Sequence, residues 1–186
     1  MPAMSKTAVF VLGPDRPGII AAVTQALFEQ GCNLEDVSQT SLQSQFLGIF
    51  IATAGGQTGV DALARALRER LDPLGLSVHL RAVDAAAERP APPVEPFVIT
   101  TVGPDRPGLV AGITGLLARH GVNITNLKAV SHGALGGQEY VTFYEVDMPA
   151  DHDRQAFRAA LRERARELGL DVNLQHREIF EQVHRV

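Results

Sequence analysis

Six residues suited to holding a small ligand occur twice in this chain. Gly-Pro-Asp-Arg-Pro-Gly stands at 13–18 and again at 103–108. Glycines at both ends let the backbone turn tightly and come close to a ligand. If a strand ends just before the turn and a helix begins just after it, free N–H groups and the positive end of the helix dipole share one spot. That spot suits a carboxylate or another anion. A carboxylate from Asp15 or Asp105 beside it suits an ammonium group. An amino acid carries both charges and matches the pair. The same residues also describe a plain helix start, in which Asp caps, Pro begins the helix and Gly allows the turn. The two readings share the same amides and do not exclude each other. Arg16 and Arg106 read most simply as solvated. Neither copy is a GxGxxG motif or a P-loop, so phosphate binding finds only weak support.

The elements that would position these loops also repeat. Over Gly13–Leu34 against Gly103–Ile124, 11 of 22 positions are identical, at an offset of 90 residues. That period is too long for a solenoid repeat and fits a small domain. Thr7–Leu12 is rich in β-formers and predicts a strand. Pro17 suits the first helical position, with Ile19, Ile20, Val23, Ala26 and Leu27 following at helical spacing and Gly31 as the stop. Asn33–Leu42 and Phe46–Thr53 predict two more strands around a hairpin at Gln43–Gln45. Val60, Leu63, Ala64, Leu67, Leu71 and Leu74 mark a second helix, stopped near Gly75. Leu76–Val83 alternates as a last strand. The second half repeats the order: strand Phe97–Val102, helix Gly108–His120, strands Asn123–Ser131 and Tyr140–Val146 around Gly133–Gly137, helix Asp151–Leu168, strand Leu170–Ile179.

This reading gives an α+β chain of two tandem ferredoxin-like βαββαβ domains. They span 6–84 and 97–180, with a Pro-rich linker over 85–96 acting as an extended spacer. Each is expected to hold a four-stranded antiparallel sheet in the order 4-1-3-2 with two helices on one face. Strands 2 and 4 are then edges, and an exposed edge invites pairing.

Composition narrows the function. Of 186 residues, 45% are hydrophobic and 20% charged, enough for two cores and unlike a disordered chain. No apolar run approaches a membrane span. Met1–Lys6 lacks the pattern of a secretory leader, and the single Cys32 forms no internal disulfide, so a cytoplasmic location is expected. The net charge of -4 argues against gripping nucleic acid directly. Aromatic content is 5%, and the sheet-face aromatic on a central strand is Phe10, without an RNP-like pattern. Six scattered histidines offer no HxxxH or HExxH spacing, so neither a metal nor a cofactor is expected. Asp151-His152-Asp153 reads as a helix cap, and Cys32 as a small packed hydrophobe. Serines 38, 41, 44 and 131 lack a G-x-S-x-G context, and no nucleophile has a base, so no catalysis is expected. Arg154, Arg158, Arg162 and Arg166 recur every four residues. They read as a solvated face eased by Glu163 and Glu167, or as a docking surface for an acidic partner. Ile179, Phe180 and Val183 in the tail either cap the second domain or meet a partner.

The run of strand, Gly-Pro-Asp-Arg-Pro-Gly-Ile, helix, Gly-Cys-Asn-Leu-Glu-Asp and strand resembles the ACT domain. Two such domains filling a chain of this length resemble the glycine cleavage system transcriptional repressor family. The loop also resembles the ACT domains of formyltetrahydrofolate deformylases and those fused to phosphoserine phosphatases, whose catalytic domains have no counterpart here. The resemblance implies a non-catalytic, amino-acid-binding regulator. Its ligand would lie where the first loop meets a neighbouring domain, paired through edge strand 2. In the first copy it points to Gly13, Pro14, Asp15, Arg16, Pro17, Gly18 and Ile19, with Asn33 and Leu34 on the partner side. In the second it points to Gly103, Asp105, Arg106, Pro107, Gly108, Leu109, Asn123 and Ile124. Asp36 corresponds to Asn126, so the two sites would differ in charge. The implied partners are a small amino acid of the glycine or serine class, a protein such as a transcription activator, and a second copy in a homodimer. The alternative is a regulatory subunit of a separately encoded enzyme of amino-acid or one-carbon metabolism.

Overall fold

A computed structural model describes residues 6–54, 59–83, 92–134 and 137–184. The chain divides into two units, Met1–Arg89 and Pro90–Val186. The first runs β1 (Lys6–Pro14), α1 (Ile19–Glu29), β2 (Cys32–Leu42), β3 (Gln45–Ala54), α2 (Val60–Leu71) and β4 (Ser77–Val83). The second runs β5 (Val94–Pro104), α3 (Leu109–Arg119), β6 (Asn123–Ala134), β7 (Gly137–Pro149), α4 (Arg154–Glu167), β8 (Asp171–His176) and α5 (Arg177–His184). Both sheets are antiparallel and four-stranded, ordered β2-β3-β1-β4 and β6-β7-β5-β8. This is the expected 4-1-3-2 arrangement. Both βαβ crossovers of a unit place their helices on one side of the sheet.

Alternation along the strands decides which side is buried. Val9, Val11, Phe46, Phe50 and Ala52 pack with Val23 and Leu27 of α1 and Leu63, Leu67 and Leu71 of α2. Phe97, Ile99, Tyr144, Val146 and Met148 do the same with Ile113 and Leu117 of α3 and Phe157 and Leu161 of α4. Truncating one of these fully buried side chains to alanine costs about 2–5 kcal/mol.

Several boundaries differ from the sequence reading, each for a local reason. Pro17 is not the first helical residue: α1 begins at Ile19, because Gly18 takes a left-handed conformation (φ 94°) at the N-cap. Gly108 does the same before α3 (φ 91°). Val94–Pro96 belongs to β5, paired with Asp147–Pro149, so the spacer region runs into the sheet. Residues 84–91 of that region lie outside the described residues, as do Leu135 and Gly136 of the Gly-rich hairpin. The last strand stops at His176, and Arg177–His184 forms a helix where the sequence reading extended the strand. In α5, Phe180 meets Phe143 at 6.2 Å between ring centroids, so the tail covers the second sheet. Asp153 caps α4 through the amides of Gln155 and Ala156, as expected from its position.

The repeated first glycine is fixed by packing. A Cβ on Gly103 would lie 2.7 Å from Leu170 Cδ2 and 2.9 Å from the Gly169 carbonyl oxygen. Gly13 faces the same obstacle from the Gly75 carbonyl at 2.7 Å and Leu76 Cδ2 at 2.9 Å. Gly103→Ala is therefore expected to destabilise the protein by about 1–3 kcal/mol through overpacking. Urea unfolding followed by circular dichroism measures it. A midpoint equal to that of the unsubstituted protein would contradict this packing.

Candidate functional site

In both units the hexapeptide joins the end of the first strand to the first helix. The cap carbonyls of Gly18 and Gly108 accept from the amides of Ala22 and Gly112 at 2.9 and 2.8 Å. The amides of Ile19, Ile20 and Ala21, and of Leu109, Val110 and Ala111, therefore have no intrahelical acceptor. Among the described residues no side chain caps either helix. Asp15 and Asp105 are thus not N-caps, and the plain-cap reading of the motif fails on this geometry. Glycine at the cap, with nothing within 4 Å of where a Cβ would stand, leaves room over these amides. The side chains of Ile19 and Leu109 point into the cores, 2% and 3% exposed. These two residues offer a ligand their backbone, not their side chains.

Asp15 is held by the β2–β3 hairpin. Its amide donates to the Ser44 carbonyl at 2.8 Å, and its Oδ2 accepts from the Ser41 hydroxyl at 2.6 Å. Gln43 and Ser44 both take positive φ (49° and 61°) to close that hairpin. Asp105 makes no bond of this kind to Ser131 among the described residues. The sequence reading passed over Ser41, testing it only as a nucleophile. The available signal was its repetition as Ser131 at the same 90-residue offset.

The repeated arginines are not simply solvated. Arg106 Nη2 donates to the Leu168 carbonyl at the end of α4. A Cβ on Gly169 would lie 3.2 Å from that nitrogen, and one on Gly75 would lie 3.7 Å from Arg16 Nη2. Each arginine thus lies over a left-handed glycine, Gly169 after α4 and Gly75 after the 3-10 turn Asp72–Leu74 that follows α2, and Arg106 satisfies one of the carbonyls that a helix end leaves open.

Asn33 and Leu34 are not gathered with the loop of their own unit. Lys6 pairs with Thr53 and Thr53 with Asn33, whereas Pro14 pairs with Gln45 and Gln45 with Leu42. The start of β2 and the hexapeptide thus lie at opposite ends of the sheet. Asn123 and Ile124 stand in the same relation to Gly103, since Ile124 and Phe97 share the partner Val146. Near Asn33, partial burial pushes the Cys32 thiol up, and a hydrogen bond from Lys6 holds Glu35 below the usual carboxylate range.

The surroundings of the two loops differ. An open depression of about 710 Å³ borders Gly13, lined by Leu12, Thr40, Leu42 and Leu47. One of about 590 Å³ borders Gly103 and Pro104, lined by Arg162, Arg166 and Asp171. Beneath the second loop Thr101 and Thr142 share a buried hydroxyl–hydroxyl bond, where the first unit has Val11 and Gly48. Burial pushes the neighbouring Tyr144 hydroxyl up, and Phe50 occupies its place in the first unit. In the arginine row, Arg154 pairs with Glu95 and Arg166 with Glu163, Arg158 reaches the Leu174 carbonyl, and Glu167 pairs instead with Arg164. Among the described residues no three His, Cys, Asp or Glu side chains could hold a metal ion. No described helix is long and apolar enough to cross a membrane.

Two βαββαβ units with a glycine-capped loop after the first strand define a tandem ferredoxin-like architecture, and comparison with known proteins gives its family. The ACT domain model matches residues 8–81 and 95–175, so the chain belongs to the ACT domain family. A UPF0237 protein of Methanopyrus kandleri is 36% identical over 90 residues, covering 48% of this chain and 96% of that protein. The glycine cleavage system transcriptional repressor of Escherichia coli is 30% identical over 120 residues, covering 64% of this chain and 61% of the repressor. A protein of unknown function from Galdieria sulphuraria superposes with a TM-score of 0.79 at 25% identity, covering 93% of this chain and 98% of that one. A solved structure assigned as a glycine cleavage system transcriptional repressor superposes with a TM-score of 0.70 at 16% identity, covering 93% and 97%, and shows the shared fold.

The arginine contacts give a test of how each loop is anchored. Arg106→Ala is expected to lower stability by about 1 kcal/mol, the scale of one lost hydrogen bond from a charged donor near the surface. Arg16→Ala, with no hydrogen bond to lose among the described residues, is expected to cost less. Denaturant midpoints of the two variants decide it, and equal losses would contradict the difference.

Proposed function

We propose that this chain is a non-catalytic amino-acid-binding regulator of glycine cleavage type, acting through contact with another protein. The observation that carries the reading is the duplicated loop. In each unit a left-handed glycine caps the helix, three amides have no intrahelical acceptor, and an aspartate stands three residues before the glycine without serving as the cap. Free amides at a helix start favour a carboxylate, and the aspartate favours an ammonium group. Membership of the ACT family and the similarity to the E. coli repressor support the same ligand class.

The candidate residues on β2 and β6 serve this function in one way. Within a sheet, β2 runs parallel to β1, since both are antiparallel to β3. A neighbouring ACT domain that pairs antiparallel along the β2 edge brings the start of its own second strand toward the hexapeptide end. Asn33, Leu34, Asn123 and Ile124 would then close a ligand against a loop from another domain. Ligand binding would favour the paired state by its difference in affinity for the two states, and a transcription activator or similar protein would read the change.

Calorimetric titration of the purified full chain with glycine, serine and other small amino acids tests the reading. Saturable binding is expected, at least tenfold weaker in Asp15→Ala or Asp105→Ala with the circular dichroism spectrum unchanged. No binding across the panel would remove the ligand role and leave the loops as structural connections.

A further inference from the structure

The two sheets differ on the faces that their helix pairs leave uncovered. In the second unit that face is polar and already occupied. Phe143, Glu145 and Asp147 lie on it, α5 sets Phe180 edge-on against Phe143, and Arg177 stands 3.7 Å from both carboxylates. Val98, on the same face, is 3% exposed.

The outer face of the first sheet is apolar and exposed around Leu12, Leu47 and Ile49, whereas Ala8, the counterpart of Val98, is buried at 6%. The strand register lays three rows across it: Asp36–Ile51–Ala8–Arg81, Ser38–Ile49–Phe10–His79 and Thr40–Leu47–Leu12–Ser77. Within these three rows the two central columns hold only apolar side chains; one level beyond Ile51 and Ala8 they continue with Thr53 and Lys6, and Lys6 is paired with Glu35. Leu12, Leu47 and Ile49 are 48%, 44% and 36% exposed. A strand residue pointing away from the core is ordinarily polar, so a contiguous apolar patch here marks a contact surface.

The charges at the ends of the first row say what fits. Asp36 bonds only the amide of the next residue, Val37, and Arg81 has no hydrogen bond or ion pair among the described residues. One edge of the face is therefore acidic and the other basic, at the same level of the sheet, with apolar columns between. We propose that a second copy of this chain docks on this face, sheet against sheet, about a two-fold axis parallel to the strands. Such an axis reverses the order of strands and keeps the level of each row. It sets β2 over β4, Asp36 over Arg81 of the second copy, and the reciprocal pair on the other side. It also sets the Ile49–Phe10 columns against each other at the ~10 Å spacing of stacked sheets. A two-fold axis across the strands would instead set β2 over β2 and leave both charges unmatched. A self-complementary patch is what a closed dimer requires. The patch is three strand spacings wide and falls below the ~800 Å² per partner of a standard interface, so the dimer dissociates on dilution. The inference does not rest on ligand binding at the loops.

Sedimentation velocity of the full chain over a micromolar-to-millimolar series tests it. The mass is expected to rise to twice that of the chain. Ile49→Glu, on a central strand and away from both edges, is expected to hold the protein at monomer mass with unchanged circular dichroism. Asp36→Arg and Arg81→Asp are each expected to raise the dissociation constant about tenfold, and their combination to restore most of the loss. A monomer at every concentration overturns the proposal. So does a dimer that Ile49→Glu leaves intact, which would place the contact at a strand edge, or a double variant no tighter than either single one.

Discussion

The constraint on which each unit depends is a close approach between two backbones. After the second helix the chain turns through a left-handed glycine, Gly169 just past α4 and Gly75 after the 3-10 turn Asp72–Leu74 that follows α2, and Leu76 or Leu170 then leads into the final strand. That corner presses against the glycine that opens the hexapeptide, with no room for a Cβ. The contact fixes where the first strand ends, and so where the helix cap and its free amides stand. The arginine of the motif then lies over the same corner from the other side. A sequence that looks like a ligand motif is, at its first glycine and its arginine, a device for holding the loop against the rest of the fold. The aspartate and second glycine set the chemistry of what the loop can hold.

Duplication preserved this frame and let the surroundings diverge. The first loop is tied to its hairpin by the Asp15–Ser41 bond, and the second, where Asp105 makes no such bond among the described residues, lies above a buried Thr101–Thr142 pair. The first has an apolar depression beside it and the second one edged by arginines. These differences lie around the loops and leave the cores alone, since each core keeps a full apolar set. The outer sheet faces diverged further, one covered by the chain's own terminal helix and the other left apolar. Two copies of one fold thus carry different contact surfaces.

Most of the fold was legible in the sequence because strand and helix periodicities are strong and occur twice. The apolar set of α1 at helical spacing and the β-formers of Thr7–Leu12 required no tertiary information. The errors arose where tertiary contacts decide. Pro17 looked like a helix start, and only the left-handed Gly18 shows that the helix waits two residues. The sequence reading ran the last strand on to Ile179, whereas the strand stops at His176 and Arg177–His184 is a helix that brings Phe180 against Phe143. For the candidate site, the loop residues were legible from the repeat. The tie from Ser41 and the docking of Arg106 on Leu168 were not, since both join segments far apart in the chain.

The central claim is that the amides following Gly18 and Gly108 receive the carboxylate of an amino acid. Amide chemical shifts of the ¹⁵N-labelled full chain, followed while glycine or serine is added, test it most directly. The account predicts saturable shifts concentrated at Gly18–Ala21 or Gly108–Ala111, with smaller changes at Asn33 or Asn123. Shifts absent from both loops at saturating amino acid, or spread evenly over the surface, would contradict it.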